Sequence, residues 1–108
     1  MAWLIAIQHI GFGVLEMFFF KKPLGQKIFR VDAAFAERAA PLMANQGLYN
    51  LFLAAGLIVA EVHADLFWTR FFFACVIVAG AFGAATVSKR ILWLQAAPAA
   101  IALGLTFL

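Results

Sequence analysis

Four apolar runs divide this chain, covering residues 2–20, 43–60, 66–88 and 91–108. Each approaches the roughly 20 mostly apolar residues that a helix needs to cross a bilayer. The pattern therefore predicts an all-α protein, a four-helix transmembrane bundle forming a single four-span domain over residues 1–108. The first run does not read as a signal peptide. It lacks a basic start, carries Glu16 within its apolar core, and has no small-residue cleavage site before Lys21. The fourth run is short and ends without a polar tail, so the pattern does not fix where it leaves the bilayer.

The connection between the first two runs, residues 21–41, is too long for a tight turn. In it, Leu24, Ile28, Val31 and Phe35 fall on one helical face, with Lys27, Arg30 and Glu37 opposite. That spacing predicts a short amphipathic helix in the inner interface, with an ordinary loop as the alternative. Small residues recur four apart within the runs: Gly56 and Ala60, Ala79 and Gly83, Gly80 and Ala84, then Ala96, Ala100 and Gly104. Such spacing lets helices approach closely in lipid. It reads first as seams within the bundle and leaves a homo-oligomer as the alternative. Pro98 withholds a donor from the carbonyl of Leu94, which predicts a kink.

Composition agrees with the pattern. The chain is 67% hydrophobic and 12% charged, with a mean hydropathy of +1.01. Soluble domains carry about 25% charged residues, so a water-soluble globule is excluded. Charge adds an orientation. Lys21, Lys22, Lys27, Arg30 and Arg38 lie in the first connection and Lys89 and Arg90 in the third, against Arg70 alone on the other side. This bias places the first and third connections in the cytoplasm and both termini outside. Trp3 and Trp68 then lie near the outer interface and Trp93 near the inner one. No basic face remains outside the spans for a nucleic acid. The single cysteine, Cys75, lies inside an apolar run and reads as a small hydrophobe.

Polar residues inside spans usually face the bundle interior or a water-filled cavity. With this orientation, Glu16 lies roughly 6 Å from the inner end of the first span, at 1.5 Å rise per residue. Asn45, Gln46, Tyr49 and Asn50 occupy the inner start of the second span, Gln95 that of the fourth, and His9 lies nearer the midplane. His9 and Glu16 are seven residues apart on one stripe, and Gln46, Tyr49 and Asn50 share a face. The expected ligand-binding set is therefore His9, Glu16, Asn45, Gln46, Tyr49, Asn50 and Gln95, lining a polar pocket open to the cytoplasm. Gly47 marks a place where a helix or ligand can approach the backbone. Glu16 can serve there as a proton carrier or a hydrogen-bonding carboxyl. Its structural alternative is a carboxyl satisfied by Asn45, Asn50 or Gln95, and that of His9 is an interhelical hydrogen bond. Two candidate ligands, His9 and Glu16, are too few for a metal site, and no motif calls for a cofactor.

The run NQGLYNLFLAAGL, residues 45–57, resembles the hallmark of a small bacterial membrane-protein family known only as a domain of unknown function. QHIGFGVLEMFFF in the first span is similar to that family's pattern of a histidine, then a glutamate, then Met and aromatics. The glycine-rich end of the third span and residues 95–98 fit as well, so the resemblance spans nearly the whole chain. Leu51 stands where the family pattern leads one to expect a small residue. The resemblance implies a four-span fold and a multi-pass location in the bacterial inner membrane, and it implies no activity.

Three functions fit these residues. The first is binding or carriage of a small hydrophobic or amphipathic molecule or a lipid, since pockets are largely apolar with a few convergent polar groups. The second is a proton-coupled exporter of the small multidrug type, using Glu16; other motifs of that type are missing and the charge bias is strong. The third is an intramembrane acid–base enzyme, isomerase-like, using His9, Glu16 and Asn50. Non-enzymatic binding is the favoured expectation.

Overall fold

Asp32 sets the first large difference from the hydropathy pattern. In the computed structural model, which describes residues 1–108, its side-chain Oδ1 accepts from the Phe35 N–H at 2.7 Å and opens a helix that runs from Ala33 to Val62. The second span was expected to begin at residue 43, where the charges stop. The helix instead begins ten residues earlier, because an Asp cap and the Ala-rich AAFAERAA segment favour helix irrespective of hydropathy. Pro41, expected to close the connection, lies inside it.

Every regular element is helical: α1 (Ala2–Val14), α2 (Pro23–Phe29), α3 (Ala33–Val62), α4 (Leu66–Thr86) and α5 (Ala97–Leu105). Two π-helical turns extend this set, Leu15–Phe19 after α1 and Leu92–Ala96 before α5. Three helical stretches, Ala2–Phe19, Ala33–Val62 and Leu66–Thr86, are long and apolar enough to cross a membrane, and Leu92–Leu105 is a shorter apolar helix. That shorter helix measures about 21 Å at 1.5 Å rise, against a hydrocarbon core of about 30 Å. The chain divides into two compact units, residues 6–55 and residues 1–5 with 56–108.

In the unit of residues 6–55, the short helix expected in the first connection is present but ends sooner. Arg30 adopts a left-handed conformation (φ 57°) and caps α2, its N–H returning to the Gln26 carbonyl. Val31 and Phe35 therefore do not continue the face of Leu24 and Ile28; Phe35 belongs to α3. Nor does Lys27 oppose that face, since it is exposed beside Leu24 and Ile28. The buried side of α2 is Gly25, whose Cα lies so close to the Phe19 carbonyl that no side chain fits. Phe29 meets Phe20 edge-on at 5.4 Å, and Gln26 Nε2 donates to the Lys21 carbonyl at 2.9 Å.

In the other unit, Ala64 turns the chain in a left-handed conformation (φ 51°) and Asp65 caps α4 through the Trp68 N–H. Thr69, Phe73, Val76 and Gly80 form the buried stripe of α4, at helical spacing. Ala96, Ala99 and Ala102 form that of the final helix. A side chain at Gly80 would strike the Ala96 backbone nitrogen at 2.7 Å, and one at Gly83 would meet Ile91 at 3.1 Å. The small-residue spacing thus marks a real seam here, although Gly104 and Ala100 are exposed and take no part. Before Pro98 the register shifts through the π-turn, with the Ala97 N–H bonded to the Leu92 carbonyl, one known way for a helix to absorb a proline.

Candidate functional site

Two glycines position the polar pair. A Cβ on Gly13 would lie 2.9 Å from the Gly47 carbonyl oxygen, and one on Gly47 would lie 2.8 Å from that of Gly13. α1 and α3 therefore cross backbone to backbone at this level, and Gly47 serves the approach of a helix. Leu51, where a small residue was expected, packs its side chain over Gly13. Glu16 and Asn50 each lie one turn C-terminal to their glycine, on opposite sides of the crossing of these antiparallel helices, and their side chains reach one another across it.

There Asn50 Nδ2 donates to Glu16 Oε1, and both residues are buried, at 8% and 7% exposure. A neutral carboxyl presents a carbonyl oxygen to such a donor just as a carboxylate does. The bond can therefore persist through protonation and deprotonation. It engages Oε1 alone, so the second carboxyl oxygen is not committed to Asn50. Glu16 also sits in the π-turn Leu15–Phe19, a distortion that occurs often at functional sites.

His9 is fully buried and packs edge-on against Phe12 at 5.4 Å. Seven residues of helix separate it from Glu16, about 10 Å along the axis. Asn45, Gln46 and Tyr49 are exposed, Tyr49 at 57% with its ring edge-on to Phe52. The helical face that Gln46 and Tyr49 were expected to share with Asn50 is divided, because the Gly13–Gly47 crossing buries only the Gly47 and Asn50 side of α3. Gln95 is half-buried in the unit of residues 1–5 and 56–108, within the second π-turn. Of seven expected residues, the structure thus joins Glu16 and Asn50 by a hydrogen bond.

A second polar cluster escaped sequence reasoning. Arg70 donates from Nε to Thr106 Oγ1 at 3.0 Å and from Nη2 to the Thr106 carbonyl at 2.8 Å. Its guanidinium lies 3.8 Å from the centre of the Phe107 ring. Thr106 Oγ1 in turn donates to the Leu103 carbonyl at 2.6 Å. Beside it is a cleft of about 270 Å³, lined by Glu61, Leu66, Thr69, Phe73, Ala102 and Thr106 among others. None of the seven expected site residues lines it. The signal available in sequence was only a basic residue inside an apolar run; its partner lies 36 positions away.

No curated protein and no solved structure matches this chain. Residues 3–107 match a protein family, and that match covers the first-span glutamate, the glycine crossing and the Asn50 helix together. By that match the chain belongs to the family described as "Protein of unknown function (DUF1304)".

Proposed function

We propose that this chain is a multi-pass protein of a bacterial cell membrane that binds, or carries, a small hydrophobic or amphipathic molecule or a lipid by its polar end. In this reading residues 1–108 form one four-span domain, with the first and third connections cytoplasmic and both termini outside. The observation that carries the binding role is the buried Glu16–Asn50 pair, held where two glycines cross. A carboxyl with one oxygen fixed by an internal donor has the other oxygen oriented for a second partner. Apolar helices around it suit the hydrophobic part of the same molecule. Tyr49, Gln46 and Asn45, exposed on α3, supply further polar contacts along its route, and His9 and Gln95 complete the proposed set.

The test compares lipid extracts of the protein held in native nanodiscs with those of Asn50→Leu and Glu16→Gln variants. Wild-type protein is expected to retain one molecular species enriched over the surrounding bilayer. Asn50→Leu, which frees the carboxyl from its donor, should lower that enrichment about tenfold, the free energy of about one hydrogen bond. If no species is enriched in wild-type protein, or if it survives both substitutions unchanged, the binding reading fails. Glu16 in the first candidate span also favours a second reading, the proton-coupled exporter. Proton release on adding lipophilic cations to the reconstituted protein, abolished by Glu16→Gln, would select it.

A further inference from the structure

The segment that follows the first candidate span offers a surface of a different kind. α2 is fixed against that span by three contacts described above: Gly25 on the Phe19 carbonyl, Phe29 on Phe20, and Gln26 on the Lys21 carbonyl. Its outward face holds Leu24 and Ile28, 51% and 37% exposed, with Lys27 beside them. Lys22 precedes the helix, and Arg30 ends it in a left-handed turn that closes α2 before α3 begins. Two acidic residues lie nearby, and both are engaged. Asp32 caps α3 through the Phe35 N–H, and Glu37 pairs with Lys21 at 3.7 Å. Lys22, Lys27 and Arg30 are therefore left without an acidic partner in the protein, all three exposed around two exposed apolar side chains.

We propose that this face docks on the headgroup layer of the membrane and selects anionic phospholipid, with Leu24 and Ile28 entering the acyl boundary and Lys22, Lys27 and Arg30 meeting phosphate groups. Charge complementarity argues for this occupant. An apolar face flanked by unopposed cations is the pattern of an interfacial helix on an acidic bilayer, and each such cation strengthens attraction to that surface about fivefold. Because α2 is held rigidly at the end of a membrane-length helix, the face needs no ordering on contact. The inference needs the chain to be in a bilayer and is independent of Glu16.

The test measures the association of spin-labelled phosphatidylglycerol, relative to phosphatidylcholine, with the reconstituted full-length protein. Wild-type protein is expected to favour phosphatidylglycerol about fivefold or more, and the preference should shrink as salt screens the headgroups. The variant Lys22→Gln/Lys27→Gln/Arg30→Asn should bring the ratio close to one. Asn is chosen at position 30 because it tolerates the left-handed backbone there. The control Lys89→Gln should keep the wild-type ratio. A wild-type ratio near one, a ratio indifferent to salt, or a triple variant matching the wild type would each overturn the proposal. The salt series on unmodified protein decides the matter even if the triple variant does not fold.

Discussion

Two ionisable side chains in this protein meet neutral partners inside apolar surroundings, and they do so for different ends. Glu16 receives a carboxamide donor from Asn50, a contact indifferent to the carboxyl's protonation. Arg70, always charged, spends its guanidinium on the end of the final helix, where the Thr106 carbonyl lacks a helical donor. A cation at a helix C-terminus also meets the favourable end of the helix dipole. Arg70→Met keeps most of the aliphatic stem but leaves that carbonyl unsatisfied, which should cost about 1.5–3 kcal/mol. Thr106→Val keeps the carbonyl bond but removes the hydroxyl's contacts with Arg70 and the Leu103 carbonyl, and should cost about 1 kcal/mol. Thermal unfolding in detergent, with hydrogen exchange at residues 103–107, measures both; equal unfolding of Arg70→Met and wild-type protein would show that the cap stabilises nothing. Glu16 and Asn50 were legible in sequence because a polar residue in an apolar run must find a partner. Arg70 was equally conspicuous, but its partners at Thr106 and Phe107 lie 36 and 37 positions away, and one of them is a backbone carbonyl, which leaves no mark in a sequence.

At the scale of helices, glycine position decides whether a side chain is tolerated. The contacts predict opposite outcomes for one substitution at different places. Gly47→Ala drives a methyl group into the Gly13 carbonyl at 2.8 Å and the Glu16 Cβ at 3.0 Å, so α1 and α3 must part. Overpacking of that kind costs about 1–3 kcal/mol, and it should also loosen the Glu16–Asn50 bond. Gly11→Ala and Gly104→Ala meet nothing within 4 Å; each should be neutral or raise stability by up to about 1 kcal/mol, through helix propensity alone. Melting temperatures of the three variants provide the check, and a Gly47→Ala protein as stable as Gly11→Ala would refute the close crossing. Spacing alone made Gly80, Gly83 and Gly104 look alike, although Gly80 and Gly83 face a neighbour and Gly104 does not. The sequence pattern marked helices rich in small residues, yet which glycine faces a neighbour depends on helix rotation. That rotation is altered within the first and last apolar helices by π-turns that no local residue pattern announces. The early start of α3 is different: the Asp32 cap is legible in the sequence, but hydropathy alone marks the boundary ten residues later.

For the molecule as a whole, topology turns on the shortest of the apolar candidate spans. Leu92–Leu105 would cover only about 21 Å, which suits a re-entrant segment as readily as a span. Its contacts with α4 argue for crossing. It begins beside Gly83 and Gly80, near the end of α4, and finishes at Thr106 in the grip of Arg70, in the second turn of α4. The helix thus runs back along almost the full length of a helix long enough to span, and stops about 6 Å short of its start. In a four-span arrangement, Arg70 would supply the donors that water supplies at the surface, which would let a short helix end below the interface without an unsatisfied carbonyl. We therefore expect Leu108 to emerge on the same side as the turn at His63, and Lys89 on the opposite side with Gln26. Single cysteines at these four positions, in a Cys75→Ala background, can be labelled with a membrane-impermeant maleimide in intact cells and again after permeabilisation. His63→Cys and Leu108→Cys should react in intact cells, whereas Gln26→Cys and Lys89→Cys should require permeabilisation, as the distribution of basic residues dictates. Labelling of Leu108→Cys only together with Lys89→Cys would make the last helix re-entrant and reduce the protein to three spans. The Arg70 contact would then need another explanation, since a guanidinium near the start of α4 could not hold a segment that returns to the side of Lys89.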